Sequence, residues 1–312
     1  MAALVGSALL STPGPVRSEI EIPATAAGEQ PGEAGKPDAG EKYLRFVERE
    51  DGSGGLDTAN ATFFREADGV RVDLLSVIHI ADKDYFEKFN RMFPNYERVL
   101  FELVGDPEGL RQYQSGGERR RGVGLSGIQA AAADALDLSF QMDVVDYSAE
   151  NLVHADMDDA VFRERQRERG QGFLQMYLKA VRMSMTNPRM SQSSIGLLDL
   201  AEAMVSDERS TRLKWLIAGE FSNADEFLAM LEADGGTVII GERNKVAIEV
   251  LQERIATGDR KLAIFYGGGH MQDFEERLVA LGFELQGKEW WTAWSLSAPA
   301  VIEVAEPEPE QR

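Results

Sequence analysis

The chain has no cysteine in its 312 residues. That excludes disulfides, thiolate zinc sites, a cysteine nucleophile and a lipid-bearing cysteine anchor. It leaves the compartment open, because proteins on both sides of a bacterial membrane manage without cysteine. Histidine is nearly as scarce, with three residues, so each can be weighed alone. Positive charge is also short: 33 Lys and Arg against 53 Asp and Glu give a formal net charge of -20. A surface of that sign repels phosphate backbones and argues against nucleic acid as a partner. Most of these carboxylates read as solvated helix faces and tails. No apolar run approaches the roughly 20 residues a membrane-spanning helix needs, so no transmembrane segment is expected.

The length suffices to bury the core of one large α/β domain or two small ones. Residues 2–10, AALVGSALL, resemble the apolar core of a signal peptide, yet no basic residues precede them. An exported, periplasmic chain with a mis-assigned start and a cytoplasmic chain with a frayed terminus both stay open. Residues 18–41 are rich in Pro, Gly, Ala and Glu and cannot bury enough apolar surface to offset ordering. Residues 1–42 are therefore expected to be a signal remnant and disordered linker. Residues 43–298 form the folded domain, and residues 299–312 a disordered acidic tail.

Within the domain, strands are predicted at Tyr43 to Glu48, Ala61 to Glu66 and Val70 to Ile78, the last two joined by a tight turn at Asp68-Gly69. Asp82 can cap a helix running to about Phe93. The apolar runs Arg98 to Leu103, Met142 to Val145, Thr237 to Ile240 and Leu262 to Tyr266 read as buried parallel strands. Helices are expected at Leu125 to Leu136, Arg243 to Ile255 and Met271 to Leu281. Phe283 to Leu285 and Trp290 to Leu296 are expected to close the domain as an antiparallel pair. Residues from about Met157 to Met230 read as a long helical insertion. Its Met176, Met183, Met185, Met190 and Met204 suggest core packing before an apolar groove. This rhythm predicts an α/β fold: a mostly parallel central sheet flanked by helices, with the insertion and antiparallel C-terminal strands.

Ligands of an open parallel sheet bind beyond the carboxyl ends of its strands. Five predicted strand ends carry polar groups: His79 after LLSVI, Glu102 after RVLF, Asp146 after MDVV, the Glu242-Arg243-Asn244 run after TVIIG, and His270 after AIFYGGG. Gly267 to Gly269 allow a steep turn and close approach to a ligand. His270 at a helix start is expected to be neutral, as a metal ligand or general base must be. Two imidazoles and one carboxylate could hold a borderline-soft divalent ion with open positions filled by water. A Glu102–Arg243 salt bridge is the structural alternative. Arg243 could orient a carboxylate or stabilise an oxyanion. Glu242 can complement a helix dipole. His154, in LVHADMD, reads as a loop residue that could cover the site, with Asp156 and Asp158 as helix caps. The Ser191 to Ser194 run lacks a nucleophile-elbow context. Arg163 to Arg169 interleaves with Glu as a solvated helix. The basic cluster Arg119 to Arg121 lies in a loop. Trp290, Trp291 and Trp294 read as packing residues.

The SVIH and GGGH runs, the strand ending in Glu102 and the GERN helix start together resemble the TraB/PrgY/GumN family, which includes the Tiki proteases. That family is distantly similar to erythromycin-esterase-like and ChaN-like haem-binding proteins. The resemblance runs from about Val70 to Leu281, with Ser76 standing where the first GxxH motif usually has Gly. It implies metal or catalytic roles for His79, Glu102 and His270, with Glu242 and Arg243 in support. It also implies divalent-metal-dependent peptidase chemistry using manganese or cobalt; zinc is the further candidate.

Three expectations follow. In the first, a metal-dependent hydrolase acts on a peptide or small-molecule substrate: Glu102 takes the proton of metal-bound water and Arg243 steadies the oxyanion. In the second, His79 or His270 holds haem without turnover, with Tyr147 and Tyr266 near the same edge. In the third, a metal-free hydrolase uses His79 and Glu102 as acid and base.

Overall fold

The structure, a computed structural model, describes residues 43–116, 133–170, 202–221 and 237–298. The expectations for the two termini, the Arg119 to Arg121 cluster, the start of the helix at Leu125, the Ser191 to Ser194 run, Met176, Met183, Met185, Met190 and most of the helical insertion lie outside these residues.

In chain order the first elements are β1 (Leu44–Glu48), β2 (Gly54–Arg65), β3 (Val70–Val77), β4 (Ile80–Ala81), α1 (Lys83–Met92), β5 (Arg98–Phe101) and α2 (Pro107–Gln114). There follow β6 (Ser139–Phe140), α3 (Gln141–Val144), β7 (Leu152–His154), α4 (Asp159–Glu168) and α5 (Arg209–Phe221). The last are α6 (Arg243–Ala256), β8 (Lys261–Gly267), α7 (Met271–Ala280) and β9 (Glu284–Leu296).

The fold is α/β. Its central block is parallel, in the order β3-β8-β5-β7. β1 and β3 pair antiparallel with successive halves of β2, and β9 runs antiparallel along most of β2. The β2–β3 turn closes on Gly69, whose φ of 68° suits a residue without a Cβ. Alternate residues of the parallel strands feed two cores. Leu75, Val77, Val99, Phe101, Ala263 and Phe265 pack with Tyr85, Phe86 and Phe89 of α1. Val72, Leu74, Leu100, Leu262, Ile264 and Tyr266 pack with Ala247 and Leu251 of α6 and Phe274 and Leu278 of α7. Both faces of the block are thus covered, as a parallel sheet requires. Each fully buried Leu or Phe contributes about 1.5–3 kcal/mol. No helix among the described residues is long and apolar enough to cross a membrane.

Several local expectations are corrected. Met142 to Val145 is not a strand; Gln141–Val144 is a helical turn. Thr237 to Ile240 is not a strand either. Val238–Glu242 is a π-helical turn running straight into α6, with Thr237 Oγ1 accepting from the Ile240 N–H at 3.2 Å. Runs of four apolar residues bury equally well as strand or helix, so periodicity could not separate the two. The C-terminal pair is one 13-residue strand bonded to β2 rather than two strands bonded to each other. His154 sits at the end of β7, too short a strand to read from sequence, and not in a loop. Asp82 is the N-cap residue of α1, but its carboxylate accepts from the Ser295 N–H at 2.7 Å instead of capping the helix. Met204 is 54% exposed and is no core residue. Trp294 is fully buried, with its indole N–H donating to the Ile80 carbonyl at 2.7 Å.

Candidate functional site

The registers Val77↔Gly267, Phe101↔Phe265 and Phe101↔His154 align the carboxyl ends of β3, β8, β5 and β7 along one edge. His79 leaves β3 two residues beyond its end, Glu102 follows β5, and Gly267 closes β8. They meet at Gly267. A Cβ built on that glycine would lie 3.2 Å from Glu102 Oε2, 3.6 Å from His79 Nε2 and 3.8 Å from His270 Cδ2. Gly267 has φ -55° and ψ 143°, an ordinary conformation for any residue. Glycine is required there for space, not for its backbone freedom.

Glu102 is bound on both oxygens. Oε1 accepts from Arg243 Nη2 at 2.6 Å, and Oε2 accepts from the Gly267 N–H at 2.7 Å. Burial pushes the carboxyl pKa up, but Arg243, the two histidines and the Gly267 N–H outweigh it and hold the group well below the usual carboxylate range. Arg243 is the hub. Its Nε and Nη2 clasp Asp156 at 2.9 and 2.6 Å, and Nη1 donates to the Ile239 carbonyl at 3.3 Å. The Asp156 side chain has no exposed surface and also accepts from the Leu103 and Met157 N–H groups, at 2.9 and 2.7 Å. Burial opposes the charge on Arg243, yet Glu102 and Asp156 together raise its pKa further above the usual value. All three nitrogens are committed to the fold, which leaves Arg243 poorly placed to receive an oxyanion.

His270 is 6% exposed, and its Nε2 lies 3.4 Å from Arg243 Nη1 and 3.5 Å from Glu102 Oε1. Burial is the main force lowering its pKa, to about 4, with Glu102 opposing. The ring is neutral at pH 7, and burial more than the helix start keeps it so. His79 is half-buried, with Nδ1 2.9 Å from Gln141 Oε1.

Other candidates fall outside this cluster. Asp146 is exposed and accepts from Ser148. Glu242 pairs with Arg169 at 2.6 Å and Lys245 at 2.8 Å. His154 Nε2 donates to the Leu103 carbonyl at 2.8 Å, and its ring rests near Phe101. Asn244 belongs to the cluster through His270, 2.6 Å from its Nδ1. Tyr266 donates to the Ala155 carbonyl, and Tyr147 accepts from Gln141 Nε2 at 2.7 Å. Burial raises both phenol pKa values well above normal. Sequence reading missed two residues: Asp156, taken only for a helix cap, and Gln141. An acid placed just beyond an apolar LVHA strand was the available signal for the first.

A metal ion fits these residues poorly. Metal ligands stand about 2.0–2.2 Å from the ion. Here both Glu102 oxygens are occupied, and the His270 atom nearest the Gly267 cradle is a carbon while its Nε2 faces a guanidinium. Among the described residues no three His, Asp or Glu side chains are gathered as ligands of one ion. Arg243 takes the place of the cation partner that buried Glu102 requires. In comparisons with known proteins, the chain matches no family model, no curated protein and no solved structure.

Proposed function

We propose that the cleft at Gly267 is a metal-independent hydrolytic site for an acyl bond of a peptide or small-molecule ester. The carrying observation is that one point in front of Gly267, where a Cβ would stand, lies 3.6 Å from His79 Nε2 and 3.2 Å from Glu102 Oε2. A water there donates one proton to His79 as its oxygen attacks the acyl carbon, and the imidazolium returns that proton to the leaving group. Glu102 is too firmly ionised to serve as the base. Its charge, locked by Arg243, stabilises the imidazolium that forms on His79. Arg243 and Asp156 hold Glu102 in place and touch no reacting atom. The TraB-like motif residues support the same cleft, and the geometry favours their metal-free use.

The test is turnover of a panel of p-nitrophenyl esters and fluorogenic peptides, with and without a chelator. His79→Gln is expected to lower kcat/KM about 10²–10⁴-fold. Activity that a chelator abolishes and manganese restores rejects the metal-free reading. No turnover across the panel, or full activity in His79→Gln, rejects the hydrolase.

A further inference from the structure

His79 and His270 approach the cleft from different strands, yet each rests Nδ1 on a carboxamide oxygen. For His270 that oxygen is Asn244 Oδ1, at 2.6 Å. The amide cannot be turned around without loss, because Asn244 Nδ2 donates to two pure acceptors: the His270 carbonyl at 3.1 Å and Asp273 Oδ2 at 2.7 Å. Asp273 is itself gripped by Arg277, with Nε to Oδ2 at 2.6 Å and Nη2 to Oδ1 at 3.1 Å. The oxygen of Asn244 is left facing Nδ1, which must then carry the proton. Nε2 keeps its lone pair and faces the Arg243 donor. For His79 the oxygen is Gln141 Oε1, at 2.9 Å, while Gln141 Nε2 donates to the Tyr147 hydroxyl. Gln141 reaches this place because β4 and β6 pair antiparallel and its N–H donates to the His79 carbonyl at 2.8 Å. Both carboxamides are buried, Gln141 at 4% exposure and Asn244 at 0%.

We infer that Gln141 and Asn244 are positioning residues that hold both imidazoles with the proton on Nδ1, so that both Nε2 lone pairs face the Glu102 side of the cleft. The chemical use of this arrangement rests on the hydrolytic reading: a base toward water must present a lone pair, and on His79 that atom is Nε2. Buried carboxamides suit this task because, unlike carboxylates, they select the tautomer without adding a negative charge to a cluster that already holds Glu102 and Asp156.

Long-range ¹H–¹⁵N correlation spectra of the intact protein, at a pH well above the ordinary imidazole value, read the tautomers directly. Only three histidines have to be assigned. The expected result is a protonated Nδ1 and a lone-pair Nε2 on both rings. A proton on Nε2 of either ring in the wild-type spectrum overturns the proposal. Gln141→Leu is expected to lose the Nδ1–H state of His79 and leave His270 unchanged. Tyr147→Phe, a milder change that only unfastens the Gln141 amide, should weaken the same signature. Folded variants with unaltered His79 spectra also overturn it. On an ester turned over by the wild type, Gln141→Leu should lower kcat about ten- to a hundredfold with little change in KM. The two readings fail separately: an inactive protein with two Nδ1–H rings keeps this inference, and an active enzyme with Nε2–H on His79 loses it.

Discussion

Arg243 clasps Asp156 with two parallel hydrogen bonds, Nε to Oδ1 at 2.9 Å and Nη2 to Oδ2 at 2.6 Å, across 87 residues of chain. The pair ties the start of α6 to the end of β7 and fixes the guanidinium that holds Glu102. Asp156→Asn removes one charge from a buried pair and should cost about 3–5 kcal/mol of stability in urea titration. Asp146→Asn, at an exposed carboxylate, should stay within about 0.5 kcal/mol. Equal effects of the two changes would refute the central role given to Arg243.

Gly267→Ala tests the cradle. Its φ and ψ suit alanine, but the methyl presses on the fixed Glu102 carboxylate, so a cost of about 1–3 kcal/mol is expected. The new methyl would sit 3.2 Å from Glu102 Oε2 and 3.6 Å from His79 Nε2, where the attacking water belongs. Hydrolysis should fall by about 10²-fold or more at temperatures where the variant is still folded. A fully active Gly267→Ala protein places the chemistry elsewhere.

Acid should weaken the fold through His270. Its folded pKa, about 4, lies below the ordinary imidazole value of about 6.5, so the unfolded chain binds the proton first. The contribution is complete above pH 6.5 and is lost as pH falls from there toward 4. By linkage the loss at pH 5 is about 2 kcal/mol. Urea titrations at pH 7.5 and pH 5 should show this difference in the wild type and a smaller one in His270→Asn.

Metal addition discriminates the readings without a substrate. Manganese, cobalt or zinc should produce no rise in melting temperature that depends on His79. A ligand at 100 times its Kd stabilises the native state by about 2.7 kcal/mol, which melting curves resolve easily. A rise present in the wild type and absent in His79→Ala would restore the metal centre.

The apolar runs of β3, β5 and β8, the amphipathic stretches of α1, α6 and α7, and the histidines and glutamate at the strand ends are all legible along the chain. Local periodicity and burial decide them, and a parallel sheet then brings their carboxyl ends to one edge. The nature of the cation beside Glu102 was not legible. A lone glutamate after an apolar strand demands a positive partner, and either a metal ion or Arg243 would satisfy it. The π-turn at Val238–Glu242 aims Arg243 inward, and the three-residue strand β7 brings Asp156 to meet it. Neither element has a periodicity of its own. Gln141 stands 62 residues from His79 and reaches it only through the pairing of two-residue strands. Sequence determined which groups could reach the cleft. The tertiary structure decided which of them pair, because pairing depends on the register of distant segments and on the direction in which each side chain is held.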